Sequence, residues 1–187
     1  MLPELPLSKT ADNTSSKIIA LCQKIAPDQQ AVYLDIEPIK EAVLNECYGN
    51  VAKVIQEFGG FVQYGWQIWE TLPGVMAEAE FHAVWKDVNG NLHDVTPKET
   101  TYITNILFLP DQTRIYEGRQ IDNIRIALIE DPLVYGFIKN RESLFETMNR
   151  GELANYHGMM VYTKEMENIE RTGYELFREI LKRFYQN

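Results

Sequence analysis

Three features of the chain predict an α+β fold. Val51, Val54, Ile55 and Phe58 form an apolar stripe at helical spacing that stops at Gly59-Gly60. Directly after it the text alternates as a strand does, with Val62, Tyr64, Trp66 and Ile68 to one side and Gln63, Gly65 and Gln67 to the other. Beyond Ile124 the pattern turns helical. The expectation is a helix that carries Cys47 in its first turn, packed on an antiparallel β-sheet, with helices added at the C-terminus.

In chain order, residues 1–15 mix Pro, Ser, Thr and Asn without periodicity and read as a flexible N-terminal arm. Residues 16–187 read as one domain with a C-terminal helical extension, since 187 residues suit one sizeable core better than two. Ile18, Leu21, Cys22 and Ile25 form the stripe of a first helix, which Pro27 stops. Cys22 on that stripe reads as an inert, buried thiol. The stretch 31–36 is extended and Pro38 closes it, and the Cys47 helix follows. Cys47 is placed one residue off the extension of its helix's stripe, where wholly apolar surroundings are not expected.

Strands are expected from Phe61 to Glu70, Ala79 to Asp87, Asn91 to Pro97 and Tyr102 to Leu109, with a fifth through Arg114-Ile115-Tyr116. Pro73-Gly74, Asn89-Gly90 and Pro110-Asp111 break them. Ile138, Leu144, Phe145 and Met148 mark a helix ended by Gly151. Thr163 caps a last one with Met166, Ile169, Leu176, Ile180 and Phe184 on one face. Glu70 and Glu80 read as surface or strand-edge charges. The polar run 116–123 reads as a solvated loop or as a border of the site, and His157 has no partner visible in the text.

Composition narrows the function. The net charge of −9 argues against nucleic acid as a partner. No apolar run approaches the length of a membrane span, so no membrane partner is expected either. The first residues lack the basic and apolar regions of a signal peptide, and two cysteines make no disulfide framework, so a reducing cytoplasm is the expected location. No cofactor is implied. Cys47, His82, His93 and Asp94 are ligand types for zinc but lack its paired spacings, and no metal is expected.

Three residues stand in an order that suits thiol chemistry: Cys47 at a helix start, His82 within a strand, and Asp94 on the next strand. A helix N-terminus and an imidazole both favour the thiolate, which is the nucleophilic form. Whether His82 and Asp94 meet depends on one residue of register. A two-residue Asn89-Gly90 loop sets Trp85 opposite Asp94 and sends the two side chains to opposite faces. A Val88-Asn89-Gly90 loop, with Gly90 left-handed, sets Val84 opposite Asp94 and makes His82 and Asp94 diagonal neighbours. That register also gathers Phe81, Ala83, Trp85 and Val95 on the other face, which favours it.

The text from Cys47 to Pro97, about a quarter of the chain, resembles the transglutaminase-like branch of the papain-like thiol enzymes. The resemblance rests on Cys47 with its helix, Gly65-Trp66, His82-Ala83-Val84-Trp85 and Asp94-Val95-Thr96-Pro97. In that family the His and Trp usually lie closer together, the segment from His82 to Asp94 is compact here, and nothing after Tyr102 matches. The resemblance implies a papain-like core and a Cys47-His82-Asp94 triad. In it Cys47 is the nucleophile, His82 the base and later proton donor, and Asp94 the group that orients the imidazole. The Cys47 N–H would be one oxyanion donor, with a second from Gln30, Tyr33 or Asn45. The expected activity is amide or ester hydrolysis, or acyl transfer, on a peptide or small amide or ester. The alternative is a module that kept the scaffold and binds a ligand or protein without chemistry.

Overall fold

A computed structural model describes residues 7–155 and 161–186. Within them the elements are β1 (Lys9–Thr10), α1 (Ser16–Ile25), β2 (Val32–Asp35), α2 (Cys47–Phe58), β3 (Phe61–Leu72), β4 (Met76–Lys86), β5 (Leu92–His93), β6 (Asn105–Pro110), β7 (Ile124–Ala127), α3 (Pro132–Met148) and α4 (Lys164–Tyr185), with a 3-10 turn at Gly151–Asn155. The architecture is α+β: four helices and an open antiparallel sheet of seven strands among the described residues.

The long β3–β4 hairpin is the spine of the sheet. Strand order is β2-β6-β3-β4-β5, with β1 added to β3 and β7 to β4. At the hairpin tip the Gly74 N–H donates to Glu70 Oε2 at 2.8 Å, and Lys9 Nζ lies 3.3 Å from the other carboxylate oxygen. Glu70 is therefore a buried, paired group that caps the turn, and the surface reading of it is wrong. Just beyond the ends of β2 and β5 an isolated parallel bridge joins Ile36 to Asp94, where the Glu37 N–H donates to the Asp94 carbonyl at 2.8 Å.

Alternation along β3 and β4 divides the core. On one face Trp66, Ile68, Ala79 and Phe81 pack against Ile18, Leu21 and Cys22 of α1 and against Leu107 and Leu109. Farther along that face, Ala83 and Val95 receive Val51 and Val54 of α2. Val84, Ile106 and Phe108 cluster on the opposite face. Gly65 is required there, because a Cβ on it would stand 2.3 Å from the Leu109 carbonyl oxygen and 2.6 Å from the Phe108 ring. Helices α3 and α4 cover the hairpin tip through Val134, Phe137, Ile138, Ile180 and Leu181 against Leu72, Val75, Met76 and Ala127. Asp131 caps α3 by accepting from the Leu133 N–H at 2.8 Å, and Thr163 caps α4 by accepting from the Met166 N–H at 3.3 Å.

Several boundaries differ from the sequence reading. Lys9–Thr10 pair with Trp69 and Glu70 and Ala11 is buried, so this part of the expected arm belongs to the sheet. No strand forms at 114–116. Asp111 instead accepts from both the N–H and the hydroxyl of Thr113 and turns the chain away from the ladder. The extra strand is β7, in a region expected to be helical: Ile124 and Ile126 pack towards the core, and the partner strand β4 overrides a pattern too short to specify its own period.

Candidate active site

The site is built on the hairpin that follows β3. Trp85 pairs with His93 and Lys86 with Leu92, which is the register that sets Val84 against Asp94. The connecting loop is Val88-Asn89-Gly90, closed by the Asp87 N–H donating to the Asn91 carbonyl at 2.9 Å, with Gly90 at φ +92°. The Asp87 carboxylate accepts from the N–H groups of Asn89 and Asn91 and organises the loop. His82 and Asp94 consequently share a face, and His82 Nε2 donates to Asp94 Oδ1 at 3.1 Å.

A gap in the sheet admits the thiol. On the outer side of β4, β5 pairs residues 85–86 and β7 pairs 76–79, so among the described residues 80–84 have no strand beside them on that side. The start of α2 lies against this stretch. Cys47 packs with Val51, Val54, Ala83 and Val95, and the Tyr48 hydroxyl donates to the Phe81 carbonyl at 3.5 Å. Cys47 thus lies on its helix's apolar stripe, not off it. Its side chain borders the same cleft as His82, and the interaction between the two raises the pKa of the imidazole. With Nε2 committed to Asp94, Nδ1 is the nitrogen left for sulfur.

Burial is nearly complete, with 7% of Cys47, 3% of His82 and none of Asp94 exposed. Desolvation alone would lower the His82 pKa. The hydrogen bonds to Asp94 and Cys47 and the Asp94 charge outweigh it and raise the imidazole to about 9. Burial pushes Asp94 up in turn, but its bonds to His82 and Lys98 hold the carboxyl below its ordinary value. Asp94 Oδ1 also accepts from the Thr96 N–H at 3.2 Å, and Lys98 Nζ is 2.8 Å from Oδ2.

The loop before α2 is held in an unusual shape. Asn45 (φ 61°) and Glu41 (φ 63°) are left-handed, a conformation that costs a non-glycine residue about 1 kcal/mol or more. Asn50, fully buried on α2, braces the loop: its Oδ1 accepts from the Val43 N–H at 2.8 Å and its Nδ2 donates to the Val43 carbonyl at 2.7 Å. Glu46 places no side-chain cap on the helix, and the first N–H groups of any helix lack intrahelical acceptors. Of the three residues considered for a second oxyanion donor, only Asn45 borders Cys47. Gln30 lines a separate hollow beside α1, and the Tyr33 hydroxyl donates to the Ala11 carbonyl at 3.0 Å.

Two clefts flank the thiol, with Asn45, Cys47 and Glu80 common to both. One, of about 210 Å³, is bordered by Gln67, Trp69, His82, Lys98 and Glu99. The other, of about 320 Å³, is bordered by Tyr48, Tyr116, Asp122 and Phe145. The run 116–123 therefore borders the site. Tyr116 stacks on Tyr48 with ring centroids 3.7 Å apart. Glu80 is exposed, as its reading as a surface charge expects; it also borders both clefts and accepts from Gln67 Nε2 at 2.7 Å.

His93 points elsewhere, to Glu37 at 3.2 Å and Asp87 at 3.5 Å, with its ring against Trp85. Among the described residues no group of three or more His, Cys, Asp or Glu side chains is arranged to hold a metal ion, and no helix is long and apolar enough to cross a membrane. His157 lies outside the described residues. Sequence reading missed Asn50, Gln67 and Lys98. The first lies one helical turn after Cys47 and the last four residues after Asp94, spacings that offer the only textual signal. No protein-family model matches the chain, and no curated protein or solved structure matches it significantly.

Proposed function

We propose that this protein carries out acyl chemistry on an amide or ester through a thioester at Cys47, on a core of the papain-like, transglutaminase-like kind. One observation carries the reading. A buried imidazole has one nitrogen on the Asp94 carboxylate and shares a cleft with a thiol at a helix start, where two clefts meet. The residue order and the flanking motifs support the family resemblance.

In this mechanism His82 holds the thiol proton and the Cys47 thiolate attacks the carbonyl carbon. The carbonyl electron pair moves onto oxygen, where the Cys47 N–H, and Asn45 as second donor, stabilise it. Collapse expels the amine or alkoxide, which takes the proton from His82 and leaves the thioester. Water, giving a proton to His82, then attacks the thioester and releases the acid and the thiolate. An amine in place of water completes a transfer by the same steps. Asp94 keeps the imidazole in the orientation both proton transfers need.

Limited iodoacetamide labelling of the folded protein, mapped by mass spectrometry, tests this. Cys47 is expected to react before Cys22, and His82→Ala to slow Cys47 near neutral pH. Preferential labelling of Cys22, or a rate indifferent to His82, would sink the assignment. The low exposure of Cys47 favours a second reading, a non-catalytic binding module. That reading requires the ligand to bind Cys47→Ala as well as wild type and no covalent adduct to form. An activity probe trapped only when Cys47 and His82 are both present rules it out.

A further inference from the structure

We propose that Lys98 is a positioning residue that clamps the far oxygen of Asp94 and shares its negative charge, and in this way sets the proton affinity of the imidazole that serves Cys47. The inference rests on the thiol reading above. Its basis is the packing around Asp94. The carboxylate is wholly buried and has no freedom to choose partners: Oδ1 takes the His82 and Thr96 N–H groups, and Oδ2 faces Lys98 Nζ at 2.8 Å. The Lys98 side chain is itself only 10% exposed.

Oδ2 has no hydrogen-bond donor and is matched only by the charge of Lys98, and burying that cation needs a reason, because removing an ammonium from water is costly. The ammonium is held from a second side. It donates to Gln67 Oε1 at 3.1 Å, and Gln67 Nε2 donates to Glu80 Oε2 at 2.7 Å. A continuous series of polar contacts runs Glu80, Gln67, Lys98, Asp94, His82, from an exposed carboxylate on the cleft to the imidazole beside Cys47. Trp69 closes over it, its ring centroid 6.0 Å from the ammonium.

Two cations then share one carboxylate. Without Lys98, the whole Asp94 charge would act on the imidazolium and make it a poorer proton donor to a leaving group. With it, that attraction is reduced, and the Lys98 charge does act to lower the His82 pKa. The charged or titratable groups around His82 are Cys47 from α2, Glu80 from its own strand, and Asp94, Lys98 and Glu99 from the segment after β5.

The test is the pH titration of the His82 ring by NMR, together with the pH profile of Cys47 alkylation. Lys98→Met and Lys98→Gln remove the charge, and Lys98→Arg retains it. The first two are expected to move the His82 midpoint and the upper limb of the profile upward by at least about half a pH unit, with Lys98→Arg close to wild type. The proposal is overturned if a charge-removing variant that folds superimposes on wild type, or if Lys98→Arg shifts as far as Lys98→Met. It is also overturned if none of the three folds, since the role would then be structural. Failure of the underlying reading looks different: wild-type Cys47 would be indifferent to His82→Ala.

Discussion

The two cysteines have nearly the same exposure, 9% for Cys22 and 7% for Cys47, and both lie on helices. Their surroundings differ in kind. Cys22 sits inside α1 among Leu21, Trp66 and Ile68, and burial pushes its thiol up, towards the neutral form. Cys47 begins α2 where the ladder on β4 is interrupted, and one side of it meets an imidazole. Burial therefore does not decide what a thiol does; the groups brought within hydrogen-bonding reach of it do.

Deleting each thiol in turn puts this contrast to its hardest test. Cys47→Ala should abolish covalent capture of an acyl probe, and Cys22→Ala should retain it. Capture that survives in Cys47→Ala, read by intact-protein mass spectrometry, removes the distinction.

Next in size is the carboxylate. Asp94→Ala leaves both Lys98 and a protonated His82 buried without their partner, and breaking a buried pair in this way costs about 3–5 kcal/mol. Urea unfolding should show that loss, and Cys47 labelling should slow as well. No comparable effect on labelling is expected from changes around Cys22.

The His82 shift has a definite sign. Its folded pKa, about 9, stands above its ordinary 6.5, because the bonds to Asp94 and Cys47 outweigh desolvation. Folding therefore favours the proton. The resulting stability, at most about 3 kcal/mol, is complete below pH 6.5 and fades as pH rises through 9. Denaturation midpoints measured from pH 6 to 10 should fall in wild type, and the slope should be shallower in His82→Gln. Parallel curves for the two would remove His82 as the source.

The smallest effect expected is at the turn. A Cβ on Gly90 would meet nothing closer than Lys86 Cε at 3.9 Å, so Gly90→Val is opposed by the positive φ and not by a clash. A cost of about 1 kcal/mol or more is expected. Because the loop sets the register, Cys47 labelling should fall too, and deletion of Val88 should be worse. A Gly90→Val protein that loses stability with unchanged labelling would separate the turn from the site.

Local sequence marks which residues form the hairpin and, through Val88-Asn89-Gly90 and the apolar set Phe81, Ala83, Trp85 and Val95, favours the observed register over that of a two-residue Asn89-Gly90 loop, which the sequence also allows. Turn chemistry and a period of two are local properties, so His82 beside Asp94 was legible in the residues alone. The α2 stripe and the Thr163 cap were legible for the same reason. Three other features came from the packing of distant segments: β5 and β7 leave residues 80–84 open for α2, Asn45 and not Gln30 or Tyr33 borders the thiol, and Glu70 is buried. Packing also brought Lys98, Gln67 and Glu80 into one chain with Asp94. Apart from the four-residue spacing of Asp94 and Lys98, these facts depend on contacts between segments far apart in sequence, and on long side chains whose reach spacing does not specify, so no local pattern encodes them.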